Sequence, residues 1–307
     1  MTAIETRALT KRFGEVTAVH NLDLTVKEGE IFGLLGPNGA GKSTTLNLLL
    51  DFLQPTAGDA SVLGRNPWME ARTIRERMGI LPEGYGLYDR LTAREHLEFV
   101  VQMKSCDTSA EDILERIGLV NEENRPVGNF SKGMRQRLGL GIALVGEPDL
   151  LILDEPSSGF DPHGIREMRS IIREEKERGA TVIFSSHVMQ EVKMICDRVG
   201  IMNHGELIAV DTIEALHEQA STRETLVLSV DMIPESHRLT EIDGVSDVFV
   251  FDSTLQISYS TPEAKTQVLD EVNRTGTTIR NVEIEQTSLE ELFVEYTAEK
   301  HSQEATI

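Results

Sequence analysis

The chain has 307 residues, 39% apolar and 26% charged, a composition that suits a soluble globular protein of about two domains. Acidic residues number 51 against 30 basic ones, a net charge of −21, so the chain repels phosphate backbones and no nucleic-acid partner is expected. Its two cysteines, Cys106 and Cys196, stand too far apart in sequence for a metal motif or a disulfide framework, which points to a reducing cytosol.

Val16–Val19 and Leu22–Val26 alternate apolar and polar residues and predict an antiparallel hairpin at one sheet edge. Ile31–Leu35, Leu150–Leu153 and Thr181–Phe184 are short unbroken apolar runs, the pattern of buried parallel strands. Each precedes a turn and a helical pattern, at Lys42–Leu53, His163–Arg178 and Val188–Cys196. That alternation predicts an α/β domain over residues 1–220. Between two of its strands, roughly residues 82–146, the pattern is mostly helical. After residue 220 the texture changes. Thr225–Val230, Asp247–Phe251, Leu255–Tyr259 and Ile279–Ile284 predict short strands, and Pro262–Arg274 a helix with proline at its start. Ser288–Ala298 predicts a terminal helix with Ser288 as N-cap and Glu291 at the third helical position. Residues 221–307 thus predict a small α+β unit compatible with a ferredoxin-like arrangement. They hold 17 acidic and 6 basic residues, so this accessory unit is acidic out of proportion to its size.

Gly36-Pro37-Asn38-Gly39-Ala40-Gly41-Lys42-Ser43 fits G-x-x-x-x-G-K-[ST], after one predicted strand and opening one predicted helix. Glycines let the backbone turn its N–H groups toward phosphate oxygens, and the helix N-terminus adds positive potential. Lys42 is placed for the β- and γ-phosphates of ATP, and the Ser43 hydroxyl, followed by Thr44, for Mg²⁺. Leu150–Leu153 ends in Asp154 and Glu155. Asp154, at the strand's C-terminal end, is suited to orient Mg²⁺, and Glu155 to face an attacking water. Such a loop alone serves kinases, GTPases, helicases and transporter motors alike.

Further segments narrow the choice. Ser131-Lys132-Gly133-Met134-Arg135-Gln136 opens a predicted helix and resembles the signature motif of ATP-binding-cassette (ABC) ATPases, in a variant of the commoner S-G-G-Q. Ser158-Gly159-Phe160-Asp161 resembles that family's D-loop, Ser185-Ser186-His187 its switch histidine, and Phe13 before Gly14 its adenine-stacking aromatic. The motifs stand in family order from about Ile4 to His217. The resemblance implies a P-loop NTPase fold with an antiparallel edge sheet and a helical subdomain. It also implies two cassettes sandwiching two ATP molecules, with Ser131 and Gly133 of one facing the γ-phosphate on the other's Lys42. The paired cassette is a second copy of this chain or a related one. A lone cassette cannot complete its own site. Family members of this kind drive transporters, and the segment after Pro82 would meet the membrane subunit. No run is long enough to span a membrane, so the expected place is the cytoplasmic face, held by a membrane partner.

One position departs from the family pattern. Leu81-Pro82-Glu83 carries Glu83 where the family usually has glutamine, and ionised Glu only accepts hydrogen bonds. Glu83 remains a candidate to contact metal or water. With Gly86-Leu87-Tyr88, this variant resembles the exporter branch whose permeases are of the ABC-2 type. Thr287–Phe293 resembles the terminal helix of that branch's C-terminal domain. Within the branch, Tyr88, Phe130–Leu140 and Gly146-Glu147-Pro148 most resemble the ATPase of a copper-processing transporter linked to nitrous-oxide-reductase maturation, with multidrug and sodium-export ATPases close behind. Met189, Met194 and Met202 are scattered and suit packing rather than copper. The alternative is a soluble ABC ATPase acting on ribosomes or DNA ends, but the tandem cassettes, long coiled coils and iron–sulfur cysteines of such proteins are lacking. With 21 Arg and only 9 Lys, the acidic composition also resembles proteins of salt-loving archaea, where cytosolic salt screens self-repulsion.

Overall fold

The first strand, β1 (Thr2–Phe13), buries Ala3, Ile4, Thr6, Leu9 and Thr10 and bends midway, where Ala8 takes a positive φ of 46°. The computed structural model describes residues 1–216, 224–233 and 237–286, in two compact units, Met1–Ile213 and Glu214–Ile307.

Three strands pair antiparallel with β1: β2 (Val16–Leu22), β3 (Thr25–Lys27) and β5 (Ala57–Val62). Gly58 lies against the bend of β1, where a Cβ would come within 2.3 Å of the Ala8 carbonyl oxygen. The hairpin expected between Val16–Val19 and Leu22–Val26 does not form. Both segments pair with β1 instead, with Leu22 opposite Leu9 and Thr25 opposite Glu5. The cause is a bridge across the break. The Thr6 hydroxyl donates to Leu22 O at 2.7 Å and accepts Leu24 N–H at 2.9 Å, and Asp23 accepts Ala8 N–H at 2.7 Å. What resembles a turn at Asp23 is an interruption in a chain that keeps running along one partner.

The second sheet has six strands in the order β10-β9-β4-β8-β7-β6. These are β4 (Ile31–Leu35), β6 (Met78–Leu81), β7 (Leu150–Leu153), β8 (Thr181–Ser186), β9 (Arg198–Asn203) and β10 (Glu206–Thr212). All pairings are parallel except that of β10 with β9. Every residue of β4, β7 and β8 is buried, as continuous apolar runs on a doubly covered sheet require. Helix α1 (Lys42–Leu49) follows β4, and α2 (Ala71–Arg75) precedes β6. The expected run to Leu53 stops earlier because Asp51 adopts φ 57°. Between β6 and β7 lie α3 (Ala93–Lys104), α4 (Ala110–Arg116) and α5 (Lys132–Leu144). Each starts on a hydroxyl cap: Thr92 in a capping box with Glu95, then Ser109, then Ser131. Helix α6 (Pro162–Glu177) follows β7 and α7 (Met189–Ile195) follows β8. Parallel order sets the C-terminal ends of β4, β8, β7 and β6 side by side, the place where open α/β sheets bind ligands. Those ends carry Gly36, His187, Asp154 and Glu83.

In the second unit, β11 (Glu224–Val230), β12 (Val245–Phe251), β13 (Thr254–Tyr259) and β14 (Ile279–Gln286) form an antiparallel sheet ordered β12-β13-β11-β14. Leu226, Leu228, Leu255 and Ile257 pack with Ala264, Val268 and Val272 of the helix Pro262–Arg274. A short helix, His237–Thr240, lies between β11 and β12. The expected terminal helix Ser288–Ala298 and the Thr287–Phe293 segment fall outside the described residues.

Candidate active site

The phosphate loop bends through Gly39 at φ 83° and Gly41 at φ 101°. Side chains cannot adopt the second cheaply, and a Cβ there would also come within 2.4 Å of Ala18 O. A cavity of about 270 Å³ opens over the loop, lined by Ala18, Asn38 to Thr44, Glu83 and Glu155. Gly36 and Pro37 open the loop ahead of these lining residues. Their carbonyls accept the Lys42 ammonium at 2.7 and 3.2 Å. Helix α1 has no acidic residue in its first turn to oppose an anion.

Lys42 Nζ also lies 3.5 Å from Glu155 Oε1, and Glu155 Oε2 lies 2.9 Å from His187 Nδ1. The three residues expected to carry catalysis therefore form one chain of contacts, from three separate strand ends. Glu155 holds φ 46°, an uncommon backbone conformation for a side-chain-bearing residue and one found at functional sites. Its N–H donates at 2.9 Å to the Ser185 hydroxyl, which itself donates to Asp154 Oδ1. Sequence patterning missed that role of Ser185. The available signal was a pair of hydroxyl residues ending an apolar, fully buried strand.

The Ser43 hydroxyl lies 3.1 Å from Asp154 Oδ1 and 3.4 Å from Glu83 Oε2. Ser43 has one proton for two carboxylates, so the cluster is short of positive charge. Oxygen donors of this kind suit Mg²⁺, which is content with one or two carboxylates plus phosphate and water. The three residues expected to contact metal are brought together. Phe13 is not brought into the loop cavity. It is half exposed at the end of β1, with Lys11 Nζ 5.0 Å from its ring centre.

The signature segment lies against its own D-loop. Ser131 caps α5, accepting Met134 N–H at 3.2 Å. Lys132 Nζ donates to Ser158 Oγ at 3.0 Å, Gly133 packs near Gly159 O, and Gln136 Nε2 donates to Pro156 O at 2.9 Å. Asp161 accepts Gly164 N–H at 2.7 Å and caps α6, and that bond holds its carboxyl below the usual range. Tyr85, two residues after Glu83, donates to Arg135 O at 2.6 Å, and burial pushes its phenol up.

Comparison with known proteins gives the chain's family. The ABC transporter family profile matches residues 19–158, and that of the ATP-binding protein DrrA1-3-like C-terminal domain matches residues 212–297. The chain is 35% identical to the bacitracin transport ATP-binding protein BcrA of Enterococcus faecalis, over 94% of each chain. It is 33% identical to the linearmycin resistance ATP-binding protein LnrL of Bacillus subtilis, over 96% of this chain and 98% of that one. Among solved structures, it is similar to an ATP-binding subunit of an ABC transporter, with TM-score 0.66 and 30% identity over 71% of this chain and 93% of that one. A dimeric ATP-binding cassette in a post-hydrolysis state, bound to ADP and Pi, matches with TM-score 0.64 and 25% identity over 68% of this chain and 98% of that one.

Proposed function

The chain belongs to the ATP-binding subunits of ABC transporters, and from that premise we propose that it drives an ABC-2-type exporter from the cytoplasmic face of the membrane. The observation that carries the hydrolytic part is the run of contacts from Lys42 through Glu155 to His187 over the phosphate loop.

ATP enters with its phosphates against the loop N–H groups and the α1 terminus. Lys42 neutralises the β- and γ-phosphates. Ser43, Asp154 and Glu83 would hold Mg²⁺, which when bound would supply charge stabilisation to the phosphates. Glu155 accepts a proton from the attacking water as the water oxygen bonds to the γ-phosphorus and the bond to the β-phosphate oxygen breaks. ADP and phosphate leave. His187 fixes the Glu155 carboxylate and faces the γ-phosphate. Phe13 stacks the adenine. With Lys132 and Gln136 held within their own subunit, Ser131 and the N–H groups at the start of α5 are what one cassette offers its partner's γ-phosphate. The D-loop residues Ser158 and Gly159 and the α6 cap Asp161 support that face. Residues 221–307 form an accessory domain.

The names of the relatives speak for a drug-type cargo. The motif resemblance to the copper-processing ATPase supplies a second candidate, carried by Tyr88, Phe130–Leu140 and Gly146–Pro148 alone. A halophilic setting is proposed on the charge of −21. The test is co-expression with an ABC-2-type permease from the same gene cluster. The chain should purify with it in detergent and hydrolyse ATP faster than alone. A chain that neither binds nor responds overturns the exporter assignment, and transport by the reconstituted pair decides the cargo.

A further inference from the structure

Glu191 sits in the first turn of α7, four residues after His187, and is 8% exposed. A carboxylate so placed needs partners, and the phosphate chemistry uses none of it. Its Oε2 accepts two neutral hydroxyls, Ser157 Oγ at 2.8 Å and Ser186 Oγ at 2.8 Å. Ser157 lies two residues after Glu155, and Ser186 immediately precedes His187. Ser186 Oγ also accepts Val188 N–H at 3.0 Å, which fixes the turn on the other side of His187.

The contacts close a ring. It runs from Glu155 through Pro156 to Ser157, across Glu191 to Ser186, along the chain to His187, and back to Glu155 by the 2.9 Å contact. The His187 side chain is half exposed, and a pair of that kind holds little geometry by itself. The buried side of the ring removes that freedom. We propose that Glu191 is a positioning residue for ATP hydrolysis, a buried clamp that keeps the loop of the base and the loop of the switch histidine in register. The proposal rests on the assignment of Glu155 and His187 as the hydrolytic pair.

The experiment measures single-turnover hydrolysis, ATP affinity and thermal stability in the full chain for Glu191→Ala, Ser157→Ala, Ser186→Ala and the serine changes in the Glu191→Ala background. Misplacement of a reacting group typically costs on the order of tenfold to a hundredfold in rate, and that loss is expected for Glu191→Ala with ATP affinity held. Each serine change should slow the parent and leave the Glu191→Ala protein no slower than it already is. Equal slowing in both backgrounds, an unchanged rate in Glu191→Ala, or rate and affinity falling together would overturn the clamp. If Glu191→Ala does not fold, Glu191→Leu keeps the volume, removes both acceptor oxygens and carries the same cycle. A Glu155→Gln arm separates the premise. Turnover there at the parent rate removes the hydrolytic pair, whatever the serines do.

Discussion

Lys42 Nζ stands 3.5 Å from Glu155 Oε1, and the two side chains are only 6% and 14% exposed. The cation that would meet the phosphates and the carboxylate that would take the water's proton thus share one partly dry space. Their charges oppose each other's roles. Lys42 attracts a phosphate, while Glu155 repels it.

That opposition separates two substitutions. Glu155→Gln keeps the shape, removes the basicity and relieves the repulsion, so ATP should bind as well or better. Loss of a positioned base costs on the order of 10²–10⁴ in rate. Lys42→Ala should instead weaken binding itself, because it removes the charge and the tie to Gly36 O and Pro37 O. Nucleotide titration beside single-turnover hydrolysis checks both. A Glu155→Gln protein that hydrolyses at the parent rate places the base elsewhere.

Association should follow nucleotide. The Ser131 cap and the Gly133 N–H lie at the start of α5, beside their own D-loop rather than in the loop cavity. In the proposed sandwich, a γ-phosphate receives them from another subunit. Glu155→Gln protein should sediment as a monomer without ATP and as a dimer with it. A monomer at saturating ATP would count against the sandwich.

The phosphate loop, Asp154, Glu155 and His187 were legible because each is a local strand-to-turn or strand-to-helix pattern. The order of buried parallel strands then brings them together. The partners of β1 were not legible. Its bend at Ala8 and the Thr6 bridge depend on residues 15 to 18 positions away, and the stretch around Asp23 has the composition of a turn. Ser185 carries only the faint signal of a hydroxyl pair ending an apolar strand, and Glu191 carries none. Their partners on the β7 side, Glu155 and Ser157, are 30 and 34 positions distant, and the pairing of β7 with β8 makes them neighbours.

The contact of β6 with α5 leaves no room for a side chain. A Cβ on Gly79 would stand 1.9 Å from Ala143 O. Gly79→Ala should cost about 1–3 kcal/mol or more by forcing the strand off the helix. Gly86→Ala meets nothing within 4 Å and should stay within about 0.5 kcal/mol of the parent. Denaturant midpoints compare the two, and equal midpoints would contradict the packing.

Salt should stabilise the protein. Self-repulsion from a charge of −21 weakens as the Debye length falls from about 10 Å at 0.1 M to about 3 Å at 1 M. The melting temperature should rise over that range. A flat or falling one would sink the halophilic setting.

Tyr85 ties the segment after Glu83 to the signature helix, through a 2.6 Å bond to Arg135 O. Its phenol is raised above the ordinary value of 10, chiefly by burial, against a smaller opposing effect of the Arg135 charge. The unfolded chain therefore ionises this group first. Its contribution to stability is whole below about pH 10 and is lost as pH climbs from there toward the folded value. Tyr85→Phe removes the bond, at a cost of about 1 kcal/mol near pH 7. It also removes this alkaline loss. One pH unit beyond the unfolded value corresponds to about 1.4 kcal/mol, so parent and variant should converge by about pH 11. Tyr259 of the second unit is raised too, by burial and the Glu224 bond, so whole-chain unfolding would mix the two groups. Trp68, the one tryptophan, lies in the first unit with its ring N–H on Leu48 O, and its fluorescence reports that unit. Guanidinium titrations at pH 7, 9, 10 and 11 followed at Trp68 give the comparison. Parallel curves for parent and variant across that range would show that Tyr85 does not titrate as its burial requires.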